Sequence, residues 1–417
     1  MNVAIIGAGI GGLTTALFLH QQGHHVHVYE SVAEIRELGV GINLLPHAVR
    51  ELEKLGLRDQ VADGGVLTKE LLYFNKLGQR IWQEPRGIDA GYTWPQVSIH
   101  RGRLQRILLD AVVERLGAES VATGHRLRAV RPEGGGVTTM FDVAGSSAGT
   151  REVHADLVIA ADGIHSAARS QFYPDEGIPI YSGSMHWRGT TMMEPFLSGR
   201  SMFMAGHRAV KFVAYPITRP DTDGRVQVNW IAELLRPTPL NREDWNRPGH
   251  LEDFLPEFES WRFDWLDVAG LIRGYEQVLE YPMCDRDTIP QWTFGRCTLL
   301  GDAAHPMYPI GSNGASQAIR DASALADALA RHADLDAALA AYEAARRPAT
   351  AAIVLSNRKM GPELVMQMAE DRAPEGFATI DDVIPRHELE AVADGYKKVA
   401  GFSRDALNAG LSVLDGA

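Results

Sequence analysis

The amino-acid sequence predicts an α/β protein in which a mostly β domain is inserted into a parallel-sheet domain, with a helical segment at the C-terminus. Three observations support this fold class. The first 30 residues follow the order strand, glycine-rich loop, helix, strand. Short runs rich in Tyr, Trp, Phe and Met extend from Ile180 to Leu234, as in an antiparallel sheet. Alanine-rich stretches from Ala315 onward have the spacing of helices.

The N-terminal unit carries the first motif. An apolar run at residues 3–6 predicts a buried parallel strand and leads into Gly7-x-Gly9-x-x-Gly12. The first glycine permits a tight turn, the second lets the backbone approach a pyrophosphate, and the third lets helix and strand pack closely. Glu30 ends the next strand, where its carboxylate suits the hydroxyls of an adenosine ribose. The unit predicts a Rossmann-like domain with a bound dinucleotide, and does not distinguish FAD from NAD.

A second motif follows another apolar stretch. Residues 156–161 predict a strand that ends at Asp162-Gly163. A helix start follows, with Ser166 as a candidate cap and Arg169 in the first turn. From the pattern alone, an ordinary strand, turn and helix explain this motif equally well.

The third motif lies near residue 300. Residues 297–300 predict a strand that ends in Gly301-Asp302, where the carboxylate can accept a hydrogen bond from a ribityl hydroxyl. The turn Gly311–Gly314 then opens a long helix. Backbone N–H groups at Gly314 and Ala315 can face an anion, such as the N1–C2=O edge of a reduced flavin.

In this order and spacing, the three motifs resemble those of the single-component (group A) FAD-dependent aromatic monooxygenases, the class of 4-hydroxybenzoate and salicylate hydroxylases. The similarity covers nearly the whole chain. Within the class, four runs are most similar to the phenazine hydroxylases of pyocyanin biosynthesis: Gly39–His47, Ser98–Arg101, Tyr281–Asp287 and Met307–Gln317. One departure is Ala160 in the second motif, where the family usually has glycine. Alanine is small enough for us to expect the same turn.

The resemblance implies a cofactor site and its residues. Gly9, Gly12, Glu30, Arg101 and Asp302 would hold FAD, while Arg36 and the loop through Gly41 would lie beside the flavin and its pyrophosphate. Asp162 and Arg169 belong to a motif linked in this family to both FAD and nicotinamide binding. Gly7, Gly311, Gly314 and Ala315, taken from the motifs themselves, complete the expected cofactor set.

The resemblance also implies the chemistry. NADH or NADPH reduces the flavin, O2 adds at its C4a atom, and the hydroperoxide transfers OH to an electron-rich aromatic or N-heteroaromatic ring. A substrate with a ring carboxylate could lose it in the same reaction. The cofactor carries this chemistry, while the protein positions the substrate and excludes water. The family has no separate NAD(P)H domain, and the sequence has no second glycine fingerprint. We expect no metal, because no histidine pair has the spacing of ligands on one helix.

Four residues are candidates for the catalytic site. Arg188 and Tyr215 lie on the inserted β segment, where this family builds its substrate pocket. His305 and Pro309 follow Asp302 in the third motif. Each has a structural alternative. Alternating aromatic residues on a sheet more often form a core than contact a ligand, and His305 suits a structural role in the loop as well as that of a base.

Composition narrows the class of partner. The net charge of -12 argues against nucleic acid or an anionic membrane as the main partner. Two cysteines, Cys284 and Cys297, are too few for a disulfide framework. The chain shows no secretion signal and no apolar stretch of membrane-spanning length. We expect a cytoplasmic monomer or homodimer whose partners are a small aromatic substrate and O2.

Six segments describe the expected domain organisation. Residues 1–70, 98–175 and 281–361 form the FAD-binding domain; residues 71–97, a hairpin, and 176–280 form the substrate domain; and residues 362–417 form C-terminal helices. Within them, the pattern predicts helices over 46–63, 101–116 and 250–275, and a break in the last segment near 374–378.

Two other functions fit parts of the sequence. A FAD-dependent dehydrogenase or reductase would keep the flavin without inserting oxygen. A catalytically silent nucleotide-binding protein would serve regulation or assembly. The intact glycine loop, Glu30 and Asp302 argue against the silent protein.

Overall fold

The computed structural model describes residues 1–37, 39–145, 149–238 and 247–414. Their strands, in chain order, are β1 (Asn2–Ile6), β2 (His25–Tyr29), β3 (Gly41–Leu44), β4 (Gly65–Leu67), β5 (Glu70–Phe74), β6 (Arg80–Pro85), β7 (Val97–His100), β8 (Val121–Ala122), β9 (His125–Glu133), β10 (Gly136–Val143), β11 (Thr150–Ala155), β12 (Leu157–Ala160), β13 (Ile180–Met193), β14 (Ser201–His207), β15 (Val210–Pro216), β16 (Val226–Leu235), β17 (Arg262–Phe263), β18 (Leu266–Asp267), β19 (Tyr275–Asp285), β20 (Thr293–Phe294) and β21 (Cys297–Leu299).

The α-helices of the same residues are α1 (Ile10–Gln21), α2 (Pro46–Lys54), α3 (Arg58–Asp63), α4 (Arg101–Leu116), α5 (Ala167–Phe172), α6 (Val268–Arg273), α7 (Gly314–Arg331), α8 (Leu335–Arg358), α9 (Leu364–Arg372), α10 (Arg386–Val399) and α11 (Arg404–Asn408).

A six-stranded sheet forms the first layer. Its order is β20-β21-β12-β1-β2-β8, and β21, β12, β1, β2 and β8 run parallel. The central strands are short apolar runs buried on both faces, because α1, flanked by α4 and α7, and the three-stranded β11-β10-β9 sheet pack against them. In a parallel sheet the carboxyl ends of neighbouring strands meet at one edge. That edge carries the motifs predicted from the sequence.

A seven-stranded sheet forms the second layer, in the order β19-β13-β16-β15-β14-β5-β6. Successive side chains on these strands point to opposite faces. One face packs into an aromatic core that includes Trp187, Phe203, Phe212 and Trp230, each fully buried. The opposite face therefore presents the intervening residues of the same strands to the region between the two sheets.

The C-terminal helices close the molecule around the second sheet. Val365 and Met366 of α9 and Leu389 of α10 share a core with Leu71 and Tyr73 of β5. The hairpin β5–β6 is thereby held between β14 and the C-terminal segment.

The predicted fold class is confirmed: a parallel α/β domain, an inserted mostly β domain and C-terminal helices. The predicted helix over 101–116 and the hairpin between residues 71 and 83 are present. The helical break near 374–378 is present too, since α9 ends at Arg372 and α10 begins at Arg386. No described helix is long and apolar enough to cross a membrane.

Two predicted helices are wrong. The stretch 46–63 is two helices, because the chain turns at Gly56, whose φ of +69° ends the first one. The stretch 250–275 contains only α6 as α-helix, together with short 3-10 turns and the β17–β18 pair. Its bulky residues, Phe254, Phe258 and Trp261, pack individually into the aromatic core under the second sheet. β19 runs without interruption from Tyr275 to Asp285.

Candidate active site

The motifs meet at the carboxyl edge of the parallel sheet. The glycine loop follows β1, Glu30 follows β2, Asp162 follows β12 and Asp302 follows β21, and these four strands are neighbours. The backbone N–H of Ala8 donates to Glu30 Oε2 at 2.8 Å, which ties the glycine loop to the end of β2. Residues as far apart in the chain as Gly7 and Asp302 therefore form one site.

The three glycines of the loop have distinct surroundings. Gly7 has φ +99°, and a Cβ there would lie 2.5 Å from the carbonyl oxygen of Ala161. A Cβ on Gly12 would lie 2.0 Å from the carbonyl oxygen of Gly7. A Cβ on Gly9 would meet no protein atom within 4 Å. Gly7 and Gly12 are thus required by packing, whereas Gly9 opens onto the cavity described below.

Two polar groups at this edge are left without protein partners. Oδ2 of Asp162 accepts the backbone N–H of Ala167 at 2.8 Å, but Oδ1 is buried and unbonded. Burial raises the pKa of this carboxyl. Arg101, the first residue of α4, lines the cavity, and its guanidinium makes no hydrogen bond or ion pair with any described residue. The open face of Gly9, a buried acceptor and a cation without a partner fit a bound dinucleotide.

Arg169 of the second motif braces the site from behind. Its guanidinium donates to Glu176 Oε2 at 2.8 Å, to the Ala304 carbonyl at 2.9 Å and to the Asp287 carbonyl at 2.8 Å. These bonds join the second motif to the third. Arg169 is 1% exposed and is not part of the cavity wall.

The third motif is held by Asp321 of α7. One carboxylate oxygen, Oδ2, accepts the Gly301 N–H at 3.1 Å and lies 2.5 Å from His305 Nε2. The other oxygen accepts from Arg346 Nε at 2.7 Å. His305 is 4% exposed and faces Asp321 rather than the cavity, whereas Asp302 lines the cavity.

The turn before α7 faces the cavity through four residues, 312–315. Gly311 has φ +66°, and a Cβ there would lie 2.1 Å from the hydroxyl oxygen of Tyr396 on α10. Its need for glycine therefore arises from the C-terminal helices. A Cβ on Gly314 would meet nothing within 4 Å, and no side chain caps the first N–H groups of α7. These groups are directed at the cavity as an anion-binding helix start requires.

A cavity of about 600 Å³ lies between the two sheets and is lined by residues of both. The motifs form one wall, and the face of the seven-stranded sheet opposite its aromatic core forms the other with Met202, Met204, Val213, Ile231, Arg188 and Tyr215. The chemistry of the two walls differs: backbone and charged groups on the first, mostly apolar side chains on the second.

Gly41 fastens the two walls together. Its N–H donates to Asn229 Oδ1 at 2.7 Å. Its carbonyl accepts from the Tyr215 hydroxyl at 2.8 Å and from the Arg188 guanidinium at 3.0 Å. Burial raises the pKa of Tyr215 to about 12, so the hydroxyl stays protonated and donates at neutral pH. Gly39 and Val40 line the cavity beside it.

The predicted residues divide into three groups. Those that line the cavity are Gly9, Arg101, Asp162, Arg188, Tyr215, Asp302, Pro309, Gly314 and Ala315. Those packed directly behind its walls are Gly7, Gly12, Glu30, Gly41, His305 and Gly311. Arg36 stands apart, because its side chain is 68% exposed and pairs with Glu34.

Sequence reasoning missed a charged group at the far end of the cavity, which we call the distal cluster: His186, Lys211, Glu233 and Glu363. Lys211 Nζ lies 2.6 Å from Glu233 Oε2 and 2.5 Å from Glu363 Oε2, and His186 Nε2 lies 3.0 Å from Glu233 Oε2. The sequence feature that could have revealed the cluster is the presence of charged and imidazole side chains in the middle of apolar strands. All four are at most 5% exposed.

The sequence model of the FAD binding domain family matches residues 1–231 and 276–356. The chain belongs to this family. The chain is 45% identical over 407 residues to phenazine 1,6-dicarboxylic acid hydroxylase of Lysobacter antibioticus, covering 96% of this chain and 98% of the relative. It is 32% identical to a 3-amino-4-hydroxybenzoate 2-monooxygenase of Streptomyces platensis, over 94% and 97% of the two chains.

A solved structure shares the fold. The crystal structure of HpxO of Klebsiella pneumoniae with FAD and uric acid superposes with a TM-score of 0.71 at 24% identity, covering 100% of this chain and 97% of the other. The prediction of an FAD-dependent aromatic monooxygenase is confirmed by the family match and these relatives. FAD is the cofactor of this hydroxylase.

Proposed function

We propose that the hydroxylase uses NADH or NADPH and O2 to hydroxylate a polycyclic N-heteroaromatic carboxylate of the phenazine type. The observation that carries this proposal is the cavity that has the FAD motifs on one wall and an apolar sheet face on the other. The 45% identity to a phenazine dicarboxylic acid hydroxylase supports the ring class.

The cofactor roles rest on the contacts around the parallel sheet. Bound FAD would accept electrons from the nicotinamide and activate O2. The open face of Gly9 admits the pyrophosphate, and Arg101 offers it a positive charge. Glu30 is oriented by the N–H groups of Ala8 and Val32, at 2.8 and 2.9 Å, and would bind the adenosine ribose.

The flavin end is served by the third motif. Asp302 would accept a hydrogen bond from a ribityl hydroxyl, and the N–H groups at the start of α7 would favour negative charge on the flavin ring. His305 acts through structure in this proposal. Its Nε2 is engaged by Asp321, and the imidazole does not face the cavity.

The substrate role falls to the sheet face. The methionine and aliphatic side chains offer a flat apolar surface to an aromatic ring and exclude water from it. Nε of Arg188 is buried and has no hydrogen-bond partner, so it can donate to a carboxylate on the ring. Tyr215 positions Gly41 beside that contact, and Pro309 closes the opposite wall.

The test is a turnover assay on the purified FAD-loaded protein. NADH or NADPH oxidation and O2 uptake should accelerate when phenazine-1-carboxylate is added, and 18O2 should place one labelled atom in the product. A protein that cannot be loaded with FAD would contradict the proposal. Nucleotide oxidation without labelled product would indicate reduction without oxygen insertion.

A further inference from the structure

The distal cluster forms a row across three neighbouring strands. His186 of β13 pairs in register with Glu233 of β16, and Glu233 pairs with Lys211 of β15. Tyr215 and Asn229, which hold Gly41, lie four residues away along the same strands. At roughly 3.3 Å per residue, the row is about 13 Å from the Gly41 contact. Glu363 completes it from the turn before α9.

The charges of the distal cluster do not add up to a positive site. Lys211 lies between two carboxylates, so two of the three ammonium donors are directed at Glu233 and Glu363. Burial lowers the pKa of His186, which is therefore neutral at pH 7. The cluster offers no net positive charge to a carboxylate that enters it.

The cluster also has unused acceptors. Among the described residues, Oε1 of Glu233 and Oε1 of Glu363 receive no hydrogen bond. His186 Nε2 lies 3.0 Å from Glu233 Oε2, so this nitrogen is not one of the unused acceptors. Unpaired polar groups that line a cavity are satisfied when a ligand supplies the complementary group.

We propose that the distal cluster determines substrate specificity by accepting a hydrogen bond from a hydroxyl, amino or ring N–H group on the edge of the aromatic substrate remote from the flavin. The same cluster disfavours a carboxylate at that edge. The inference rests on the proposed function, because it takes the aromatic substrate to occupy this cavity. It assigns the ring carboxylate to Arg188 and the donor group to Glu233 and Glu363.

Binding of three matched probes tests the inference in the wild-type holoenzyme: phenazine-1-carboxylate, 6-hydroxyphenazine-1-carboxylate and phenazine-1,6-dicarboxylate. They differ only at the ring position remote from the shared carboxylate. Dissociation constants are measured from the perturbation of the FAD absorbance, without reductant. The dissociation constant of the 6-hydroxy probe should be about tenfold or more lower than that of the dicarboxylate. Equal or reversed affinities would overturn the inference.

The variant Glu363→Gln removes one acceptor charge and preserves shape. It should reduce the affinity advantage of the 6-hydroxy probe over phenazine-1-carboxylate at least about fivefold. The matched control is Glu370→Gln, on α9, where the carboxylate pairs with Lys76 at 2.6 Å outside the cavity. An unchanged preference in Glu363→Gln would also overturn the inference. If this variant does not hold FAD, the wild-type series decides.

Binding and turnover separate the two proposals. Probes that bind in the expected order without being hydroxylated would contradict the proposed function alone. Probes that are hydroxylated without preference at the remote position would contradict the distal-cluster inference alone. Failure of all three probes to bind would overturn both.

Discussion

At the scale of single residues, the site depends on glycines, whose missing side chains leave space for a ligand at some positions and allow close packing at others. Gly9 and Gly314 leave open space in front of two helix starts, while Gly12 is packed against the Gly7 carbonyl. The same residue type therefore has two uses within one loop, and the two can be separated by substitution.

We predict that Gly9→Ala and Gly12→Ala fail in different ways. A methyl group at Gly9 has room, and the φ of -74° suits alanine. The free energy of unfolding of the apoprotein should therefore stay within about 1 kcal/mol of the wild-type value, while FAD affinity falls at least about tenfold. A methyl group at Gly12 would lie 2.0 Å from the Gly7 oxygen, which should lower the free energy of unfolding by about 2 kcal/mol or more. Urea unfolding and FAD titration measure both. Equal stability losses would contradict the assignment.

A second residue-scale prediction concerns Asp302. Replacement by alanine should weaken FAD binding about tenfold, because a carboxylate that accepts a hydroxyl hydrogen bond is lost. The FAD content of the purified protein, read from its absorbance, gives the result. Asp142→Ala, on β10 and 54% exposed, is the control. Full occupancy in the Asp302 variant would refute this role.

At the scale of elements, α7 supports the third motif from below. Asp321 binds Gly301, His305 and Arg346 together, although Arg346 belongs to α8. The helix thus fixes the loop that carries Asp302 and at the same time presents its own N-terminus to the cavity.

We predict that Asp321→Asn destabilises the fold and loosens the cofactor. Arg346, 1% exposed, would keep its charge without a carboxylate partner, which should cost about 3 kcal/mol of unfolding free energy. FAD affinity should fall as well, because the Gly301–His305 loop loses its anchor. Asp327→Asn, on the same helix, should change stability by less than about 1 kcal/mol. Similar effects in the two variants would contradict the proposed role of Asp321.

The sequence predicts the individual strands more readily than it predicts which strands lie next to each other. Short apolar runs followed by glycine and an acid identified β1, β12 and β21, because a buried parallel strand has a local signature. The position of β12 between β1 and β21 depends on long crossovers and has no such signature. The distal cluster was missed for the same reason. It depends on the register of three strands and on Glu363, which is 152 residues from Lys211.

At the scale of the whole molecule, the distal cluster joins the second sheet to the C-terminal segment. The Lys211 pair with Glu363 is the link, and it lies in the interior. Lys211 and His186 lower the pKa of Glu233 to about 2 despite its burial. Burial raises the pKa of Glu363, with Glu233 adding to the effect and Lys211 opposing it.

This arrangement predicts sensitivity to acid. The folded pKa of Glu233 lies below its unfolded value, so its stabilisation is present above about pH 4.5 and is lost as the pH falls toward 2. The lowered pKa of His186 acts in the same direction, because it reduces the stability of the fold as the pH falls below about 6.5. Glu363 acts in the opposite sense.

Glu233→Gln should therefore flatten the acid limb of the stability curve by about 2 kcal/mol between pH 4.5 and 3. Urea midpoints across this range measure the effect. Glu152→Gln, whose side chain is 61% exposed, should follow the wild-type curve. A Glu233→Gln curve parallel to wild type would refute the prediction.

The two walls of the cavity have a consequence for how this enzyme could change. The proposed cofactor contacts come from loops after β1, β2, β12 and β21, whereas the proposed ring-facing positions lie on β13, β14, β15 and β16. Those positions alternate with the residues of the aromatic core, so an exchange at one of them leaves the core on the opposite face of the sheet in place. New substrate preferences could accumulate on one face of one sheet while the oxygen-activating machinery stays intact. A directed-evolution library confined to cavity-facing residues of these strands is the economical place to search for them.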